Sequence, residues 1–280
     1  MRGGVCMDGT RRVPTGIDPS VPSVARMYDY YLGGKDNFAA DREAAEKIIE
    51  LGREIGGDAR EIAKENRCFL RRTVRLLARS GISQFIDIGA GLPTQENVHE
   101  VAERHIADPR VVYVDNDPIV LTHARALLAD NRTTIAVSGD LREPKEIFDD
   151  PAVRAHIDFA RPFAVLLVAV LHFITDDEEA ARIVDQVREH LVPGCHLVLT
   201  HAYQGGRHES AVNSGKQVYS GTSSGGVTTR EVSHLESYFA GLDLLEPGIV
   251  PVQAWRPEVP WEVSADLAGI GILGAVGRVT

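Results

Sequence analysis

The stretch 84-QFIDIGAGLPT-94 decides the fold. Phe85, Ile86 and Ile88 make a short apolar run suited to a buried strand, and the run stops at Gly89-Ala90-Gly91. Pro93 suits the first turn of a helix, and Val98, Val101 and Ala102 follow at helical spacing. A strand, a glycine turn and a helix in that order build the corner of an open α/β sheet where ligands bind, beyond the carboxyl ends of the strands. The glycines let the backbone turn and approach a ligand without a Cβ clash, and the helix N-terminus presents unpaired N–H groups. A dinucleotide fingerprint also wants a third small residue, but here that place is Thr94, preceded by Pro93. Asp87, two residues before the first glycine, adds a negative charge where a diphosphate is disfavoured and an ammonium is welcome. Both departures weigh against NAD(P).

Around this corner, 280 residues suffice for one domain of about 200–240 residues plus terminal or inserted pieces. The net charge of −10 argues against non-specific binding to nucleic acid or a membrane surface. Cys6, Cys68 and Cys195 are far apart and form no C-x-x-C, so neither a disulfide framework nor a zinc knuckle is expected. That cysteine usage makes a reducing cytoplasm the expected compartment, and with no long apolar run and no apolar N-terminal region no membrane span or secretory signal is expected.

Residues 1–22 lack periodicity and are rich in Gly, Pro and Arg, which predicts a flexible or surface-tracking arm. Val24, Met27, Tyr28 and Tyr31 then recur at helical spacing up to Gly33-Gly34, and Asn37 is placed to cap a second helix from about Ala39 to Leu51. The turn GGKDNF concentrates a permissive glycine pair, Lys35, hydrogen-bonding side chains including Asn37, and an aromatic. A long helix is predicted from Asp58 to Arg79; its arginines, Arg67 to Arg79, read as a solvated face, with Asn66 and Arg67 weaker candidates for a ligand pocket.

The strings SVARMYDYYLGGKDNFAADREAAEKI, NRCFLRRTVRLL, QFIDIGAGLPTQENVHEVA, VVYVDNDPIVLTHARALL and RPFAVLLVAVLHFI together resemble one bacterial family of S-adenosylmethionine-dependent methyltransferases, long filed as a domain of unknown function. The resemblance runs from about Pro22 to Trp255. It implies a class I, Rossmann-like α/β fold: a three-layer, doubly wound, mostly parallel seven-stranded sheet with an N-terminal helical lid. The implied organisation is an arm at 1–22, a helical segment and lid at 23–80, and an S-adenosylmethionine-binding domain at 81–280 with an insertion at 203–229. S-adenosyl-L-methionine is the implied cofactor. Tyr28, Tyr31, Gly33, Gly34, Lys35 and Asn37 lie ahead of the first strand, where methyltransferases often place a lid, and are the lid and substrate candidates.

The residues after the corner agree with that expectation. Val111 to Val114 predict a second buried strand ending in Asp115, about two dozen residues beyond Gly91, near the spacing of ribose-binding carboxylates. Asn116 and Asp117 join it as cofactor candidates, and Pro118 starts a helix. TTIAVSGDL predicts a third strand, and the resemblance puts Gly139, Asp140 and Leu141 against the adenine. Pro151 breaks the helical stretch Glu143–Ala160. FAVLLV, 163–168, is a fourth strand buried on both faces, with Val170 beyond it. Thr175 and Glu178 suggest a capping box for a helix from about Asp176 to Leu191. CHLVLTHA is a fifth strand ending at His201, and a short helix is expected near Ala211–Tyr219. A further helix runs from Thr229 through Phe239, and LDLLEPGIVPVQAW and GILGAVGRV supply the last two strands.

His172 and His201, placed at the ends of adjacent strands, are the candidate bases; a base matters only where an O–H or N–H acceptor must lose a proton. Methyl transfer otherwise needs the acceptor held in line with the methyl group. No hydrolase elbow or zinc motif occurs, and His196 and His201 point to opposite faces of a strand, so no metal is expected. The expected acceptor is a small molecule, with no nucleic acid or membrane partner. A catalytically silent S-adenosylmethionine-binding protein is the alternative.

Overall fold

The glycine corner stands in the middle of the sheet. A computed structural model describes residues 7–8, 11–12, 17–54, 57–93, 96–128, 131–205, 209–258 and 271–280. Thr94, much of the expected arm and residues 206–208 of the insertion lie outside the described residues. The five strands β1 (Gln84–Ile88), β2 (Arg110–Asp115), β3 (Thr134–Ser138), β4 (Ala164–Leu167) and β5 (His196–Tyr203) run parallel. They are followed by β6 (Asp243–Leu244), β7 (Val250–Pro251) and β8 (Gly271–Arg278). The order across the sheet is β3-β2-β1-β4-β5-β8-β6, with β7 pairing on β8. β8 returns antiparallel along β5, from Gly271 opposite Tyr203 to Arg278 opposite His196.

Among the described residues the predicted α/β sheet of seven strands has eight, because LDLLEPGIVPVQAW is not one strand. Pro247 cannot donate to a ladder and Gly248 has φ +83°, so the run divides into β6 and β7. The helices are α1 (Val24–Tyr31), α2 (Ala39–Glu54), α3 (Ala59–Arg79), α4 (Val98–Glu103), α5 (Pro118–Leu127), α6 (Pro144–Asp149), α7 (Pro151–His156), α8 (Asp177–Arg188), α9 (Glu209–Ser220) and α10 (Val232–Tyr238). Pro151 does separate α6 from α7, occupying the first turn of the latter with Asp150 as its cap. Two caps differ from expectation. Asp176, one residue after Thr175, caps α8 by accepting from the Glu179 N–H at 2.8 Å. At α2 the Phe38 N–H goes to Asp41 at 2.7 Å, while Asn37 turns away to Asp29.

Each face of the sheet carries its own core. Ile86, Val112, Val165 and Leu197 face Ile147, Val153, Ile183 and Leu235 of α6, α7, α8 and α10. Phe85, Val111, Leu166 and Val198 face Phe69, Val74 and Leu77 of α3 together with Trp255. α3 is thus a layer of the sheet domain rather than part of a lid, so the packing does not change at residue 80 as the sequence suggested. α1 and α2 form a separate cluster with α9 and the start of α3: Met27, Tyr31, Ala45 and Ile49 pack with Ala63, Val218 and Tyr219. The arginines of α3 are largely tied down. Arg71 and Arg104 meet Glu96 at 2.7 and 2.6 Å, and Arg72 donates to the carbonyls of Trp255 and Val252.

Candidate active site

The carboxyl ends of β1 to β4 open into a cavity of about 750 Å³, a size typical of small-ligand sites, which span ~300–1,000 Å³. The corner after β1 brings Asp87, Gly89, Ala90 and Gly91 to it; β2 brings Asp115, Asn116 and Asp117; β3 brings Gly139, Asp140 and Leu141; and Val170 follows β4. The sheet thus gathers all of the expected cofactor positions along one wall.

The corner is wrapped tightly onto its neighbours. Gly89 and Ala90 both donate to the Val114 carbonyl, at 2.8 and 3.2 Å, and the Gly91 N–H donates to Asp115 Oδ2 at 2.9 Å. Gly89 has φ +73°, and a Cβ there would lie 2.4 Å from Val170 Cγ2. Asp115 Oδ1 accepts from the Asp117 N–H at 2.9 Å, which orients the carboxylate and leaves each oxygen a further lone pair. Burial raises its pKa, against the N–H groups of Asp117, Gly91 and Asn116. Asp117 is occupied on both oxygens: it caps α5 through the Ile119 N–H at 2.8 Å and accepts from Ser23 Oγ at 2.9 Å, tying the start of α1 to the β2–α5 turn. Asp140 accepts from Asn116 Nδ2 at 3.1 Å and from the Arg142 N–H at 2.9 Å.

Asp87 is the anomaly. Its carboxyl is 5% exposed, and burial pushes its pKa up to about 7, with Arg67 pulling it down and Asp115 pushing it up. Among the described residues it receives no hydrogen bond. A buried carboxylate in this state is unfavourable, so the group holds its proton more tightly than a free carboxyl does. Arg67, from α3, lines the same part of the cavity.

Over the strand ends, Tyr28 and Tyr31 of α1 and Val212, Gly215, Lys216 and Tyr219 of α9 close the cavity. Gly33, Gly34, Lys35 and Asn37, expected beside them, do not line it. Their turn is knotted on Asp29, whose carboxylate accepts from the Asp36 N–H at 3.0 Å and from Asn37 Nδ2 at 2.8 Å. A Cβ on Gly34 would fall 1.9 Å from that carboxylate, so the glycine there answers a local packing need.

The two histidines are separated in circumstance. His172 sits in the 3₁₀ turn Leu171–Phe173 and lines the cavity. Burial holds its pKa well below the usual value, with His201 and Arg230 adding to the effect, so it is neutral at physiological pH. His201 was expected at a strand end, but β5 continues two residues past it and its ring is fully buried away from the cavity wall. Its Nε2 accepts from Arg230 Nη1 at 2.8 Å, which removes the lone pair a base needs. Arg230 was not foreseen. It is 2% exposed and also donates to Asp177 Oδ1 at 2.9 Å and to the carbonyls of Ile174 and Asp176 at 2.9 and 3.0 Å. Nothing in its sequence neighbourhood marks it. The α9 residues had a signal, since 212, 215, 216 and 219 share one helical face.

No group of three His, Cys, Asp or Glu among the described residues is placed to hold a metal ion, and no described helix is long and apolar enough to cross a membrane. A glycine corner between β1 and α4, acidic residues ending successive strands and an antiparallel β8 inserted beside β5 define a class I methyltransferase. The chain belongs to the S-adenosyl methyltransferase family, which it matches over residues 10–280. It is 40% identical to a candidate methyltransferase of Thermobifida fusca YX, whose crystal structure superposes with a TM-score of 0.85 over 95% of this chain and 98% of that one. A DUF574 family protein of Streptomyces avermitilis MA-4680 is 35% identical, with a TM-score of 0.85 over 94% and 99% of the two chains. An O-methyltransferase family protein of Burkholderia thailandensis, 13% identical with a TM-score of 0.50 over 90% and 70%, shares the fold alone. No curated protein matches the sequence. The protein is an S-adenosylmethionine-dependent methyltransferase acting on a methyl acceptor, and S-adenosyl-L-methionine is its cofactor. Neither the family nor the relatives support the silent-binder alternative.

Proposed function

We propose that the cavity takes the amino-acid end of S-adenosylmethionine at Asp87 and Arg67, the ribose at Asp115 and the adenine at Asp140 and Leu141, and admits a small-molecule acceptor beneath α1 and α9. The observation that carries this is Asp87, a buried carboxylate on the cavity wall with no hydrogen-bond partner among the described residues. An α-ammonium answers it, and the Arg67 guanidinium beside it suits an α-carboxylate. Asp115, already fixed by two backbone N–H groups, has the spare lone pairs that two ribose hydroxyls require. When bound, the cofactor supplies an electrophilic methyl group on a positively charged sulfur.

The chain's own part is to bind, to orient and to exclude water. Tyr28 and Tyr31 cover the strand ends from α1, so the lid consists of the helix rather than the GGKDNF turn. His172, neutral and on the wall, is the remaining candidate to accept a proton from an O–H or N–H acceptor; His201 supports the site from behind through Arg230. The roof of α1 and α9 favours a compact acceptor over a polymer. We place the protein in the cytoplasm, where the free thiols of Cys68 and Cys195 suit a reducing environment.

Asp115→Ala is expected to weaken S-adenosylhomocysteine binding by roughly 1.5–3 kcal/mol, the scale of hydrogen bonds to a charged group. Isothermal titration on a variant shown to be folded by circular dichroism measures this. Unchanged affinity would remove Asp115 from the ribose site.

A further inference from the structure

We infer that the acceptor is a small planar aromatic molecule bearing a negative charge, its ring against Tyr31, Phe173 and Tyr219 and its anion at Lys216; this rests on the cofactor placement proposed above. Apart from Arg67 on α3, the polar groups suited to the cofactor lie at the strand ends. The other side of the cavity is built differently, from the inner faces of α1, α2 and α9 and from the 3₁₀ turn after β4. On α9, Val212, Gly215, Lys216 and Tyr219 fall on one helical face and line the cavity. Gly215 faces Ile48 of α2, and a Cβ added there would make only ordinary contact, 3.9 Å from Ile48 Cδ1.

The tyrosines here offer ring surface rather than hydroxyls. The Tyr31 and Tyr219 hydroxyls lie 3.2 Å apart and bond to each other across α1 and α9. Burial raises both phenols above their usual pKa, so they stay protonated. Tyr28 is likewise engaged, donating to the Ala63 carbonyl at 3.1 Å and accepting from Asn66 Nδ2 at 2.9 Å. With the polar tips satisfied, what remains facing the cavity is aromatic area, extended by Phe173, whose ring centroid is 6.0 Å from that of Tyr219. Such walls favour a flat π-system that can stack or meet them edge-on.

The charge follows from which cavity groups are already matched. Arg26 pairs with Asp41 at 2.7 Å, Arg142 with Asp140 at 3.3 Å, and Asp117 is bonded to Ser23 and to the start of α5. Arg67, Asp87 and Asp115 are assigned to the cofactor. Lys216 lines the acceptor side, half-buried, with no ion pair or hydrogen bond among the described residues. An ammonium on an apolar, aromatic wall is complemented by an anion that brings its own apolar body.

Calorimetry on the full chain, saturated first with S-adenosylhomocysteine, tests this with 4-hydroxybenzoate, 4-hydroxycinnamate, their methyl esters and 4-hydroxyphenethylamine. The acids are expected to bind about tenfold or more tightly than the esters, a gain on the scale of a charge-assisted hydrogen bond, and the amine more weakly than either. Lys216→Met should erase the acid–ester difference while leaving S-adenosylhomocysteine affinity unchanged, and Lys216→Arg should keep it. Tyr219→Ala should weaken acid and ester alike, with Tyr219→Phe close to wild type. Equal binding of acid and ester, preference for the amine, an acid preference that survives Lys216→Met, or no binding of any aromatic probe would overturn the inference while leaving the cofactor site standing. Failure of S-adenosylhomocysteine to bind at the outset would instead overturn the cofactor placement, and this inference with it.

Discussion

Gly89→Ala is expected to cost roughly 2–4 kcal/mol, divided between folding stability and cofactor affinity. Two costs add. The backbone at Gly89 is left-handed, φ +73°, which a side chain disfavours. The new methyl would also lie 2.4 Å from Val170 Cγ2 and 2.8 Å from its Cβ, and Val170 is itself a wall of the cavity. Relief requires either the corner to lift from β2, losing the bonds to the Val114 carbonyl, or Val170 to move into the ligand space. Gly91→Ala is the internal control. Gly91 is also left-handed, φ +67°, but a Cβ there meets nothing within 4 Å, so only backbone strain of about 1 kcal/mol is expected. Thermal unfolding and calorimetric titration of both variants measure the difference. Equal effects at the two glycines would show that contact with Val170 does not shape the site.

Arg230→Met is expected to lower stability by roughly 2–4 kcal/mol, the cost of leaving several buried acceptors without their donor. Methionine fills much of the volume but satisfies none of the four partners. The Ile174 and Asp176 carbonyls, His201 Nε2 and Asp177 all lose their donor. These partners belong to β5, to the start of α8 and to the turn that carries His172 and Phe173, so the damage reaches the cavity wall. Denaturant unfolding gives the stability change directly. A loss below about 1 kcal/mol, the worth of one ordinary hydrogen bond, would mean that Arg230 is not the clamp described here.

The cavity wall at the strand ends was legible because each part of it is local. A buried strand must show an apolar run, a turn at its end must show glycine, and an acidic residue two dozen positions on marks the next strand end. Asp87, Gly89, Gly91, Asp115 and Asp140 each carry their reason within a few residues of themselves. The GGKDNF turn misled for a physical cause: glycines, amides and carboxylates serve a tight turn knotted on Asp29 as well as they serve a ligand. Composition does not say which side of a turn the cavity lies on. Arg230 and the α9 face become functional only through contacts between elements distant in sequence, such as Tyr31 with Tyr219. The extra strand arose where one proline–glycine pair outweighed an otherwise strand-like run.

If Asp87 receives the cofactor's ammonium, titration of S-adenosylhomocysteine at pH 6 and pH 8, in buffers of different ionisation enthalpy, will reveal it. In the free folded protein this carboxyl titrates at about 7, raised from 3.8 by burial. The folded state therefore holds the proton more tightly than the unfolded one, and this group's contribution to stability falls as pH rises through that window. Ligand binding has the opposite dependence, because the ammonium needs the ionised carboxylate. Affinity is predicted to rise about tenfold from pH 6 to pH 8, with release of nearly one proton at pH 6, and both effects should vanish in Asp87→Asn. Affinity independent of pH in the wild-type protein, with no proton released, would contradict the assignment.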